Sequence, residues 1–205
     1  MAVITISRQF GAGGKTMAQE VAAKLNYKIV HEEIIEKLAQ MAETTPNGIR
    51  AFEAEESWLV NKETTIASPK RFVDRIFDSK RKYLDGQLYK ELLIQIIPQV
   101  IEKDDVVILG RGAQFILKDR DNTFHVLLVA QEADRILFME KVYGLSKDDA
   151  RTAVAKQGKR RMKLMKLFHA EDYDQPLHYD LILNMSKMTL DQAVEMVCEL
   201  VGEPI

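Results

Sequence analysis

Four short runs, Ala2–Ile6, Val106–Leu109, Phe124–Ala130 and Asp180–Asn184, are strand-length and apolar almost without interruption, and Tyr27–Val30 makes a shorter fifth. A strand with water on one face alternates apolar and polar residues. Continuous apolarity belongs to strands covered on both faces, the condition of a parallel sheet. Between the runs apolar residues recur at helical spacing, as at Ala18, Val21, Ala22 and Leu25, or at Leu190, Ala193, Val194, Val197 and Val201. Thr189 with Gln192 three residues on predicts a capping box ahead of the last helix. Strands alternating with helices specify βαβ units and a parallel sheet.

Two regions break that alternation. Residues 31–104 are mostly helical in pattern, with Phe72, Ile76, Leu84, Leu88, Leu92 and Ile96 as apolar markers, and Thr44–Gly48 and Ala67–Lys70 as turns. This is too long for a simple crossover, and it predicts a helical insertion over about 44–103. The second break, about 146–175, opens at a Ser146 N-cap, turns strongly basic, and ends in the acidic, loop-like "HAEDYDQP".

The 205 residues suit one domain, 46% hydrophobic and able to bury a sizeable core. With 29 basic against 31 acidic side chains the formal charge is −2, so no global field recruits nucleic acid or an anionic membrane, and anion binding has to be local. A single cysteine, Cys198, allows no internal disulfide and sits among apolar neighbours as a packing residue. No stretch approaches the ~20 apolar residues of a membrane span. The opening "MAVITISRQF" has no basic region or long apolar run. The expected compartment is the cytoplasm.

Between the first apolar run and the first helical pattern stands "SRQFGAGGKT", Ser7–Thr16. The phosphate-loop pattern G-x-x-x-x-G-K-[ST] asks for glycine where this chain has Gln9. The strand before and the helix after are the required context. Gly11, Gly13 and Gly14 let backbone amides converge on an anion, and the helix start adds its dipole. With Ala12 in the same cradle, Lys15 reaches the outer phosphates of a nucleotide and the Thr16 hydroxyl faces Mg²⁺. The plain alternative is a tight strand-to-helix turn with a solvated lysine.

Further along, "VVILGRGAQFIL" puts Arg111 at the carboxyl edge of the sheet, where open α/β folds bind ligands; a surface arginine in a turn is the other reading. The run Lys156–Phe168 carries Lys156, Lys159, Arg160, Arg161, Lys163 and Lys166. It reads as an arginine lid over phosphates, as a solvated helix face, or as a nucleic-acid patch. Arg135 either joins that set or lies on a helix surface. Other chemistries fail: the second histidine of a zinc-protease helix is Ile35 after "HEEI", the four histidines share no ligand spacing, and no G-x-S-x-G occurs.

Taken in order, the loop, the insertion, "GR", "HVLLVAQEADRI", the basic segment and "YDLILNMSKMTLDQAV" resemble the cytidylate kinase-like family of small P-loop kinases over essentially the whole chain. The resemblance implies a three-layer α/β/α P-loop NTPase fold with a five-stranded parallel sheet, an inserted helical acceptor-binding subdomain and a helical lid. It implies ATP and Mg²⁺ on Gly11, Ala12, Gly13, Gly14, Lys15 and Thr16, with Thr16 toward the metal and Arg160 toward the nucleotide. Lys15, Arg111 and Arg161 would be catalytic, acting on a nucleoside monophosphate or similar small acceptor. The implied partners are that acceptor and, left open, further copies of the chain, with no membrane and no nucleic acid. Where cytidylate kinases carry aspartates for the base and the sugar, this chain has Gly112 and Gly158, and Val30-His31 stands in place of a Tyr-Asp pair. Lys15 stands where many cytidylate-kinase-like members have arginine. A regulatory protein that binds ATP without turnover is the alternative.

Overall fold

The structure is a computed structural model that describes residues 1–54, 84–168 and 172–202. Its five strands are β1 (Val3–Arg8), β2 (Lys28–Ile29), β3 (Val106–Leu109), β4 (Thr123–Val129) and β5 (Leu181–Asn184), all parallel in the order β2-β3-β1-β4-β5. The first strand is thus the middle one. Ile4 pairs with Val107 on one side and Phe124 on the other, so the chain turns that follow β1 and β3 emerge together at one edge.

The described helices are α1 (Gly14–Leu25), α2 (His31–Met41), α3 (Pro46–Ala54), α4 (Gly86–Val100), α5 (Ala113–Ile116), α6 (Glu132–Tyr143), α7 (Lys147–Leu167) and α8 (Leu190–Gly202). They divide between the two faces. On one, Ile34, Leu38, Ile49, Leu92 and Ile96 pack with Val3, Val106 and Ile108. On the other, Met17, Val21, Val194 and Val197 pack with Ile4, Ile6, Val107 and Leu128. This is the three-layer α/β/α arrangement that the continuous apolar runs predict. Cys198 packs, partly buried, against the second core. A smaller cluster joins α6 to α7 through Ile136, Met139, Ala150 and Val154, with Phe10 of the glycine loop against it.

Local signals account for the helix ends. The capping box forms as read: the Gln192 amide donates to Thr189 Oγ1 at 3.3 Å and the Thr189 amide to Gln192 Oε1 at 3.0 Å. Ser146 caps α7, its hydroxyl accepting from the Asp149 amide at 3.2 Å. The stretch 44–103, expected to be an insertion, is helical in α3 and α4 where it is described. The turn at 67–70, Phe72 and Ile76 lie outside the described residues. Among those described, no helix is long and apolar enough to cross a membrane.

Gly158 sits inside α7 with nothing within 4 Å of where a Cβ would be. Glycine in a helix interior is about 0.5–1 kcal/mol less stable than alanine, mainly through unfolded-chain entropy. Gly158→Ala is expected to stabilise the protein by about that amount, read as a higher midpoint in urea at unchanged slope.

Candidate active site

The loop leaving β1 has the form of an anion cradle. Gly11 has φ +88°, and a Cβ there would lie 2.7 Å from the Arg135 carbonyl oxygen, so no larger residue fits. The Ala12 amide closes back onto the Gln9 carbonyl at 3.1 Å. The amides of Gly11, Gly13, Gly14, Lys15 and Thr16 have no backbone acceptor among the described residues. They stand at the start of α1, where the helix dipole favours negative charge. Lys15 is exposed and reaches no carboxylate among the described residues.

Gln9, the departure from the motif, does structural work at its position. Its amide donates to the Leu128 carbonyl at 3.0 Å, and its side-chain oxygen accepts from the Ala130 amide at 3.0 Å. The loop is thereby tied to the end of β4, and its backbone there is not left-handed. Arg135 supports it from α6, donating to the carbonyls of Ala130 and Phe10 at 3.2 and 3.3 Å. Arg135 is therefore a brace beneath the loop.

Beside the loop lies a cavity of about 160 Å³, walled by Arg8, Arg111, Arg160 and Arg161 together with Glu53 and His31. Arg111 is only 6% exposed. It meets Glu53 side-on, Nε and Nη2 donating to the two carboxylate oxygens at 2.9 and 3.2 Å, and its Nη1 donates to His31 Nδ1 at 3.0 Å. The Tyr89 hydroxyl donates to the same carboxylate at 2.7 Å. Burial alone pushes Glu53 up, but the charge and hydrogen bonds of Arg111, with Tyr89, hold it below its ordinary value. Burial likewise pushes Arg111 down and Glu53 outweighs it, so the guanidinium stays charged. Burial, then Arg111, lowers His31 and keeps its ring neutral.

Arg161, from α7, forks onto Asp174 at 2.6 and 2.9 Å and donates to Ser7 Oγ at 3.0 Å. Its guanidinium also lies 4.8 Å from the Tyr173 ring centre. Arg160 donates to Gln157 at 2.7 Å. The structure thus brings Arg111, Arg160 and Arg161 to one cavity, with the loop Gly11–Thr16 adjoining it rather than lining it. Sequence reading missed Arg8, Glu53 and Asp174. An arginine closing the central strand of a parallel sheet was the available signal for Arg8.

The two glycines that replace aspartates behave differently. Gly112 has φ +69°, and the Phe168 ring stands where its Cβ would be, stacked on Phe115 with ring centres 5.9 Å apart. A side chain at 112 has no room, whereas one at Gly158 meets nothing.

Among the described residues no group of three or more His, Cys, Asp or Glu side chains is placed to hold a metal. Mg²⁺ takes one or two protein oxygens and completes its shell with phosphate and water. The Thr16 hydroxyl, on the first turn of α1, is an oxygen of that kind. The donor set fits a metal that arrives with a nucleotide.

A family model described as the cytidylate kinase-like family matches residues 3–187. The chain belongs to that family, and so to phosphotransferases of the P-loop kinase kind. Among curated proteins nothing matches. Of solved structures, an uncharacterized protein from Eubacterium ventriosum aligns over 100% of both chains with TM-score 0.69 at 17% identity. Shikimate kinase from Bacteroides thetaiotaomicron aligns over 98% of this chain and 99% of its own, with TM-score 0.51 at 15% identity. A gluconokinase from Sinorhizobium meliloti covers 98% and 91%, with TM-score 0.52 at 10% identity. At these identities the likeness is one of fold.

Two outcomes follow from the geometry. Gly112→Asp must displace Phe168 and hold a carboxylate at positive φ, a combined cost of about 2–4 kcal/mol. It should lower the melting temperature and confer no preference for cytidine monophosphate; an unchanged melting curve would contradict the packing. Glu53 has a folded pKa below its ordinary 4.5. Its contribution is therefore present above that value and lost as pH falls through the lower folded one. Glu53→Gln should cost about 2 kcal/mol at pH 7 and flatten the acid limb of the stability curve, measured by denaturant titration at several pH values.

Proposed function

We propose that the chain transfers the γ-phosphate of ATP to a nucleoside monophosphate or a similar small phosphate-bearing acceptor. The observation that carries this reading is the adjacency of two anion sites: a cradle of free amides at the start of α1 and a cavity walled by arginines next to it. A phosphoryl group passing between two anionic partners needs little covalent help; positioning and charge stabilisation do most of the work. On this reading ATP lies on Gly11, Ala12, Gly13, Gly14, Lys15 and Thr16, with Arg160 near it. Lys15 holds the outer phosphates, and Thr16 faces Mg²⁺, which neutralises phosphate charge when bound. Arg111 and Arg161 stabilise charge as it moves between donor and acceptor. The insertion, about 44–103, walls the acceptor side, and 146–175 serves as the lid. The reaction suits the cytoplasm, where ATP is abundant.

One observation favours the second reading, an ATP-binding regulatory protein: both Arg111 and Arg161 already hold carboxylates, Glu53 and Asp174. A coupled ADP-release assay over a panel of nucleoside monophosphates and small phosphate esters, with ATP binding measured by calorimetry, separates the two. Acceptor-stimulated ADP release is expected, and Lys15→Ala should reduce turnover by about 100-fold or more with unchanged melting temperature; Arg161→Ala should reduce turnover as strongly and also lower the melting temperature, because it leaves Asp174 without its partner. ATP binding without release for any acceptor would leave the regulatory reading.

A further inference from the structure

The cavity's charges are unequally matched. Glu53 neutralises Arg111 and Asp174 neutralises Arg161, each by a two-pronged contact. Arg8 has no such partner: among the described residues neither a carboxylate nor a hydrogen-bond acceptor is found for its guanidinium. Its course is nevertheless well defined. The side chain crosses the start of α1, its Cγ 2.6 Å from where a Cβ on Gly14 would stand, and its guanidinium lies against Gly110, in the space a side chain there would occupy. Both positions are glycine, and this lane carries the arginine from the glycine loop to the turn that bears Arg111. Burial, with Arg111 and then Arg161 nearby, lowers its pKa to about 10, Glu53 opposing. The group stays charged at neutral pH.

A cation held beside two others, with no counter-ion of its own, is destabilising unless an anion completes it. Resting on the kinase reading of this site, we propose that Arg8 is the residue that seats the acceptor's own phosphate, at the Gly110 side of the cavity, and so selects for acceptors that carry one. Arg111 and Arg161 keep their carboxylates while it does so and shape the pocket around it. Tetrahedral oxyanions suit the guanidinium fork, and a neutral acceptor would leave Arg8 uncompensated. Phe168 fills the space at Gly112. Selection by the phosphate therefore replaces selection at that position by an aspartate.

The test uses the full chain saturated with the non-hydrolysable analogue AMP-PNP and Mg²⁺, titrated with inorganic phosphate by calorimetry. One phosphate should bind. Arg8→Gln should weaken that binding about tenfold or more and leave AMP-PNP affinity within about twofold, since the loop amides are untouched. Arg8→Lys should fall between. Gly110→Ala keeps the arginine but takes the place of its guanidinium, and should weaken phosphate as well; circular dichroism checks each variant's fold. Phosphate binding that is absent in the wild type or equal in Arg8→Gln overturns the proposal, as does a loss of AMP-PNP affinity in place of phosphate affinity. Failure of AMP-PNP to bind the wild type overturns the kinase reading instead. Phosphate binding that is still lost in Arg8→Gln would then stand for Arg8 alone.

Discussion

The middle position of β1 is the constraint on which the rest of the molecule depends. A strand paired in parallel on both sides delivers its carboxyl end to the centre of the sheet edge, and the chain leaving it has to turn within a few residues to reach the covering helix. Here that turn is the glycine loop, fixed to the neighbouring strand by the Gln9 contacts to Leu128 and Ala130. The same register brings the turn after β3, with Gly110 and Arg111, alongside it. The glycine loop and the turn that bears Arg111 thus meet because of strand order, before any side chain in the cavity is chosen.

The cavity then divides its charge between fixed and open positions. Arg111 and Arg161 are locked by Glu53 and Asp174. Such pairs cost desolvation, and their return is geometry: α3 and α4 are tied through Glu53 and Tyr89 to the sheet edge, and α7 is tied through Arg161 to Ser7 and Asp174. The arginines that look most like phosphate ligands in the sequence are also the ones that hold the walls together. Arg8, threaded over two glycines, is a cation for which no counter-ion is found among the described residues.

Much of the fold was legible because it rests on local patterning. Continuous apolar runs gave the strands to within a residue or two, and the Thr189–Gln192 box gave the start of the last helix. The loop was legible from Gly11 to Thr16, and the basic segment from its density of arginine and lysine. The counter-ions were not: Glu53 lies 58 residues from Arg111 along the chain, and no local period links them. Arg8 was hidden for a different reason. It precedes the glycines, so motif reading assigns it to the strand, and only the folded path past Gly14 and Gly110 reveals where its charge goes. Gln9 appeared as damage to a motif and is a tether. Gly112 appeared as a missing aspartate and is room for Phe168.

On the proposed function, donor and acceptor phosphates meet where the loop adjoins the arginine cavity. A crystal structure with AMP-PNP, Mg²⁺ and phosphate tests this most directly. The expected complex has the triphosphate on the amides of Gly11–Thr16, Mg²⁺ near Thr16, and the terminal phosphate turned toward the cavity. Nucleotide bound away from the loop, or bound there with its terminal phosphate pointing away from Arg8 and Gly110, would contradict it.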